Sequence, residues 1–280
     1  AEKERQVRYL GQVAQVMGLT GAEDLSTRVD KAIRRILTRQ TGGGSFGLWR
    51  AGSGDFWLDA YVTDFLSRAR AEGHDVPDEA FDLALDNLRN RVNYAPDFDN
   101  GGEAIAYALM VLAREGAAGM GDLRFYADQK ADDFATPLAL AQLGAALAAY
   151  GDATRADAMF ARAARRIERR SAGASASPDA PVWRTDYGTE LRDTAGVLAL
   201  AAAAGSDRVD RGAIVQRLAS ASTEGALSTQ EAAWSVLAAH ALIETPEVSG
   251  LTLDGVPADG PVVRVLDDRG NAAPTEIRNV

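Results

Sequence analysis

Apolar positions recur at helical spacing along most of the chain, and the segments that carry them are of two kinds. Residues near 2–17, 55–72, 101–115, 136–150, 188–204 and 228–243 are apolar over much of their circumference. The segments between them are amphipathic. Asp24 to Gln40 sets Leu25, Val29, Ile33, Ile36 and Leu37 against Arg28, Lys31, Arg35 and Arg39, and Phe81 to Arg91 repeats that plan. A short charged segment runs near Asp122 to Asp133. Ala153 to Arg170 places Ala156, Met159, Phe160, Ala163, Ala164 and Ile167 on one stripe and six arginines elsewhere, and residues 206–220 are amphipathic again. A helix that is apolar all round needs neighbours on both sides, whereas a single stripe belongs to a surface helix. Six inner and five outer helices in alternation predict an all-α fold. The lengths between repeats vary, which argues against a linear solenoid and for a closed ring, an α/α toroid of about six helical hairpins.

Local signals set the ends of these segments. Gly18, Gly73 and Gly151 follow the last periodic residues of their helices, Pro77 suits a first helical turn, and Ser228 with Glu231 forms a capping box. Residues 171–181 read as a loop inside one domain. After Thr245 the pattern changes: Pro246 breaks the helix, and 250–270 carries β-branched runs with Asp254-Gly255 and Asp259-Gly260 as turns, which predicts two strands. The chain therefore divides into a helical domain, 1–245, and a β segment, 246–280, that leads into or links to a β domain.

The stretch from Gly42 to Tyr61 is the most distinctive. Three consecutive glycines permit positive φ, and the turn is expected to present Phe46 and Trp49. Ser53 and Asp55 are candidate N-caps for a helix carrying Phe56, Trp57, Tyr61 and Phe65. Phe46, Trp49, Trp57 and Tyr61 resemble a platform for stacking sugars, but a group of aromatics at a helix junction is more simply core. Asp55, Asp59 and Asp64 read either as paired carboxylates for glycoside cleavage or as caps and outward polar positions, and the second reading is the simpler. His74 and His240 are too isolated for a metal site, and no cofactor is predicted.

Composition removes further classes. The formal charge is −10, from 30 Lys and Arg against 40 Asp and Glu, which repels phosphate backbones and anionic lipid, so neither nucleic acid nor membrane is an expected partner. The 280 residues include no cysteine, so they can build neither a disulfide nor a thiolate nucleophile. No apolar run reaches the roughly 20 residues of a spanning helix, and the first residues lack the apolar core of a signal peptide. The chain starts without Met inside a helical pattern and reads as part of something longer.

The run QTGGGSFGLWRAGSGDFWLDAYVTDFLSRARAEG, the following VPDEAFDLALDNL helix and the late LSTQEAAWSVLAAHALI helix together resemble the thioester domain of bacterial α2-macroglobulins. The resemblance covers roughly Tyr9 to Leu253 and implies an α/α toroid. It also implies protease trapping: a target protease cuts a bait region, the protein changes shape, and an exposed Cys–Gln thioester acylates the attacker. The resemblance makes proteases and the other macroglobulin domains the expected partners, and the bacterial periplasm or envelope the expected compartment. The family's Cys-x-x-Gln motif lies just before the helix matching 2–17, so either the thioester stands upstream of this chain, which is the preferred expectation, or this member lacks it. The histidine that assists acyl transfer in some relatives is missing from the corresponding loop, NYAPDFDNGG. Phe46, Trp49, Trp57, Tyr61, Asn93, Asp97, Asp99 and Asn100 are then candidates for lining the thioester face, with none of them catalytic. An α/α-toroid enzyme acting on glycans is the alternative.

Overall fold

The computed structural model describes residues 22–52, 54–94, 101–171, 186–224, 226–244, 251–253, 255–257 and 276–279. The expected helix over 2–17, the loop at 172–181 and the Asp259-Gly260 turn lie outside them. Contacts divide the chain into two units: residues 36–245, and residues 1–35 together with 246–280.

Ten helices are described: α1 (Ala22–Leu37), α2 (Phe56–Ala71), α3 (Asp78–Tyr94), α4 (Glu103–Arg114), α5 (Met120–Gln129), α6 (Pro137–Ala149), α7 (Ala153–Ser171), α8 (Glu190–Ala203), α9 (Arg211–Glu224) and α10 (Thr229–Glu244). The charged segment near 122–133 is thus a helix in its own right, α5. The amphipathic helix expected over 206–220 starts later, at Arg211, because Ser206 is held in the preceding turn by Asp157, 2.6 Å from its Oγ.

Within the 36–245 unit the helices form two layers. α2 packs on α4, α4 on α6, α6 on α8 and α8 on α10, while α3, α5, α7 and α9 lie outside them. The reason is visible in the burial of each helix. Pro137 to Leu147 of α6 and Arg192 to Ala202 of α8 are covered almost all round, whereas α7 buries Ala156, Met159, Phe160, Ala163 and Ile167 and leaves its arginines at the surface. Small residues permit close approach between helices. At Gly144 a Cβ would already press on the α7 backbone at Ala156 and on Phe160, at 3.3 Å each. The fold is an all-α toroid-type architecture. The neighbour relation between 2–17 and 228–243 that would close the ring falls outside the described residues.

Caps follow the local chemistry. Thr136 and Thr189 accept from the third residue of α6 and α8, and Asp55 does the same for α2 at 3.1 Å. The capping box at α10 is formed reciprocally: Ser228 N donates to Glu231 Oε2 at 2.7 Å and Glu231 N to Ser228 Oγ at 3.3 Å.

In the other unit a three-stranded antiparallel sheet has the order β2-β1-β3, with β1 at Leu251–Leu253, β2 at Val256–Pro257 and β3 at Ile277–Asn279. The hairpin between β1 and β2 turns at Gly255, whose φ of 82° suits glycine. The expectation of two strands missed β3, which pairs with β1 from more than twenty residues away.

Candidate functional site

All five inner helices begin at one end of the helical unit. Ala135 N donates to Gly101 O at 2.9 Å, which joins the starts of α4 and α6. Thr189 Oγ1 donates to Glu231 Oε1 at 2.6 Å and joins the starts of α8 and α10. The ring of Tyr187, just before α8, meets that of Trp57 in the first turn of α2 at 6.0 Å, edge to face. The last turn of α3 returns to the same end, where the Arg91 guanidinium lies 5.3 Å over the Phe56 ring. Five sets of amide N–H groups are therefore gathered on one face, and with them the positive ends of five helix dipoles.

An aromatic cluster lies beneath that face. Trp57 and Tyr61 stack at 5.1 Å with planes 12° apart, Tyr107 of α4 meets them edge-on at 6.0 and 6.4 Å, and Trp234 of α10 approaches Tyr107 at 6.5 Å. The inner layer thus curves far enough for α2, α4 and α10 to share one hub. Tyr107 is fully buried and its hydroxyl donates to Asp64 Oδ2 at 2.9 Å. Burial, then the Asp64 charge and that hydrogen bond, hold the Tyr107 phenol well above its ordinary pKa, and burial followed by Asp64 raises Tyr61 too. Both rings stay neutral.

Asp64 is buried, and desolvation by itself would raise its pKa. The charges of Arg68 and Arg114, with hydrogen bonds from Arg114 and Tyr107, outweigh that and lower it. Asp59 is also fully buried. It accepts from Phe46 N at 2.7 Å, from Ser45 Oγ at 3.0 Å and from Asn87 Nδ2 at 2.9 Å, with Arg91 Nη1 at 3.6 Å. Neither carboxylate is an outward polar position, which corrects the simpler sequence reading of both. Asp55 is the cap that reading proposed.

The loop from Gly42 is tied to the same carboxylate. Gly44 has φ of 84°, and a Cβ there would lie 1.9 Å from Leu83 O of α3. The close approach brings Ser45 and Phe46 onto Asp59, so Phe46 is buried, 2% exposed, and not presented as expected. Trp49 departs from the cluster altogether: it is 89% exposed, on a loop held by Arg39 Nη1 donating to Leu48 O at 2.7 Å. Asn93 is exposed near the end of α3. Asp97, Asp99 and Asn100 lie outside the described residues. Of the eight candidates, the structure brings Trp57 and Tyr61 together and sets Phe46 beside them through Asp59.

Tyr187 and Tyr107 were not singled out in the sequence, and Trp234 entered only as part of the LSTQEAAWSVLAAHALI run that carries the resemblance. Tyr187 has φ of 52°, the single positive φ among the described non-glycine residues. Its neighbours hold it there. Buried Asp186 is gripped by Arg192, and its Oδ1 accepts from Gly188 N at 3.1 Å. Arg192 itself is 1% exposed and donates to Asp193 Oδ1 at 2.7 Å and to Gln230 Oε1 at 3.1 Å. One signal was available: Tyr107 is the lone polar-tipped side chain between Ile105 and Ala113 of an otherwise apolar helix.

A two-layer helical unit with one aromatic, amide-rich end defines the class as an all-α toroid-type domain. The comparisons give the family. No family model matches the chain. It is 36% identical over 198 residues to an alpha-2-macroglobulin of Escherichia coli and 31% identical over 210 residues to one of Xylella fastidiosa, matches covering 66% and 71% of this chain. The chain spans about an eighth or less of those relatives' length, 11% and 12%. Among solved structures it is similar to native E. coli alpha-2-macroglobulin from domain MG7 to the C-terminus, with TM-score 0.71, 29% identity, and coverage of 95% of this chain and 40% of that one. It matches E. coli alpha-2-macroglobulin activated by porcine elastase at TM-score 0.71 and 29% identity, covering 95% of this chain and 23% of that one. For Salmonella alpha-2-macroglobulin reacted with methylamine the TM-score is 0.73 at 29% identity, over 96% of this chain and 17% of that one. The chain belongs with the bacterial alpha-2-macroglobulins and corresponds to a domain of such a protein.

Proposed function

We propose that this domain is the helical scaffold that seats and shields a thioester in a bacterial protease-trapping inhibitor, the thioester's cysteine lying outside these 280 residues. The observation that carries the reading is the convergence of five inner-helix starts and the Trp57–Tyr61–Tyr107 cluster on one face. A thioester needs two things from its seat: exclusion of water while it is stored, and stabilisation of the oxyanion that forms when an amine attacks its carbonyl. Neutral aromatic rings supply the first. Amide N–H groups and the positive ends of helices supply the second. In the attack, the nitrogen forms an amide with the glutamine carbonyl and the cysteine sulfur leaves as thiolate. This chain has no cysteine to supply the sulfur, and the described acids at the helix starts serve as caps, Asp55 for α2 and Glu231 for α10, so its residues position and shield.

The relatives support this reading. The elastase-activated E. coli and methylamine-reacted Salmonella proteins join the family to proteases and to amine attack. Proteases are then the targets, the other domains of the parent chain the immediate partners, and the periplasm or cell envelope the compartment. The acids that suggested a glycan-active enzyme are engaged otherwise: Asp55 caps α2, Asp59 holds the Gly42 loop and Asp64 binds two arginines. Intact mass spectrometry after incubation with methylamine tests the proposal. This chain keeps its mass, and a longer form of the parent that includes an upstream Cys-x-x-Gln gains one methylamine. A longer form that carries the motif and takes up none overturns it.

A further inference from the structure

At the opposite end of the inner layer, where these helices finish, the 36–245 unit holds a cavity of about 500 Å³. Pockets of some 300–1,000 Å³ with apolar walls and a few convergent polar groups are the size and character of small-ligand sites. Here the walls are alanines from α6, α8 and α10, with Met110 and Trp234, and the polar groups are Arg68, Arg114 and His240. Among the described residues the lining contains no carboxylate, in a chain whose net charge is −10.

The two arginines are held in place with donors to spare. Among the described residues, Arg68 commits its Nε to Asp64, at 3.1 and 3.2 Å, and Arg114 commits its Nη1 to Asp64 and, at 3.4 Å, to Ser67 Oγ. Each guanidinium carries five N–H donors, so several from each remain for a ligand. Two positive charges share one buried carboxylate. The second nearby acid, Glu115, accepts from Ser67 and stands outside the lining. The negative ends of α2 and α4 are offset by these same last-turn arginines, whereas α6, α8 and α10 carry no base in their last turns. What faces the cavity is a preorganised cationic fork above an alanine-walled apolar bowl.

We propose that this cavity binds a monocarboxylate with an apolar body, its carboxylate on Arg68 and Arg114 and its hydrocarbon against the alanine wall, Met110 and Trp234. A free acid and the C-terminus of an apolar peptide share this chemistry. Guanidinium pairs carboxylate through parallel N–H bonds, which an alcohol or an amine of the same length cannot make.

Calorimetric titration of the chain with decanoate, decanol and decylamine tests it. Decanoate saturates one site and the other two do not. Arg68→Gln, which leaves Arg114 and Tyr107 on Asp64, weakens decanoate by about tenfold or more. Ala148→Leu, which fills the half-exposed wall, weakens it to a similar degree, by about tenfold, with unchanged circular dichroism and thermal midpoint. A short apolar peptide with a free C-terminus binds while its amidated form does not, and the tighter of peptide and decanoate identifies the source. Absence of saturable decanoate binding, equal binding of decylamine, or unchanged affinity in both variants overturns the proposal.

Discussion

The backbone N–H of Phe46 donates to Asp59 Oδ1 at 2.7 Å, so a carboxylate on α2 closes the glycine-rich loop that precedes it. Asp59 is 0% exposed and takes three further polar neighbours, Ser45, Asn87 and Arg91. Removing one partner of a buried ionic network leaves the others unmet, at about 3–5 kcal/mol. Asp59→Ala is therefore expected to destabilise the chain by about that amount in urea titration, and Asp59→Asn, which keeps one carbonyl acceptor, by less. A loss below about 1 kcal/mol for Asp59→Ala would remove the loop's proposed anchor.

Two neighbouring glycines separate conformational from steric need. Gly44→Ala meets a left-handed φ and the Leu83 carbonyl at 1.9 Å, whereas Gly43→Ala meets only Thr41 Oγ1 at 3.9 Å. Thermal denaturation is expected to show a loss of more than about 1 kcal/mol for the first and a change within about 0.5 kcal/mol for the second. Equal effects would contradict the close packing of the loop on α3.

Trp57 is 6% exposed and meets three other aromatic rings. Trp57→Ala is expected to cost about 3–5 kcal/mol by chemical denaturation. Trp49→Ala, at an 89% exposed position, is expected to change stability by no more than about 0.5 kcal/mol. The two substitutions divide four aromatics that look alike in the sequence.

Asp64 links the aromatic hub to the cavity, and its lowered pKa makes a pH-dependent contribution. Its folded-state value lies below the unfolded one. The stability it confers is therefore fully present above the unfolded carboxylate value, near 3.9, and is lost as pH falls through the folded value. Denaturant midpoints measured from neutral pH into acid are expected to fall less steeply below about pH 4 in Asp64→Asn than in the parent chain, from a lower starting stability. Parallel slopes would show that Asp64 is not held ionised by Arg68 and Arg114.

Much of the architecture was legible in the sequence because helices are local. The period of apolar positions, the threonine, serine and aspartate caps, and the glycines at φ near 80° each depend on residues within a few positions of one another, so α2, α4, α6, α8 and α10 fall within a residue or two of their expected ends. Alternation of all-apolar and one-striped segments carried the two layers for the same reason. What the sequence could not show is which polar residues are buried. Asp64 takes its partners from 43 and 50 residues away, Tyr107 and Arg114, and Arg192 reaches Gln230 across 38. A carboxylate in an apolar helix reads as outward until those partners are placed. The division of the aromatics was likewise a tertiary decision: Phe46 and Trp49 sit three residues apart on one loop, and the approach of Gly44 to α3 turns the first inward and leaves the second in solvent.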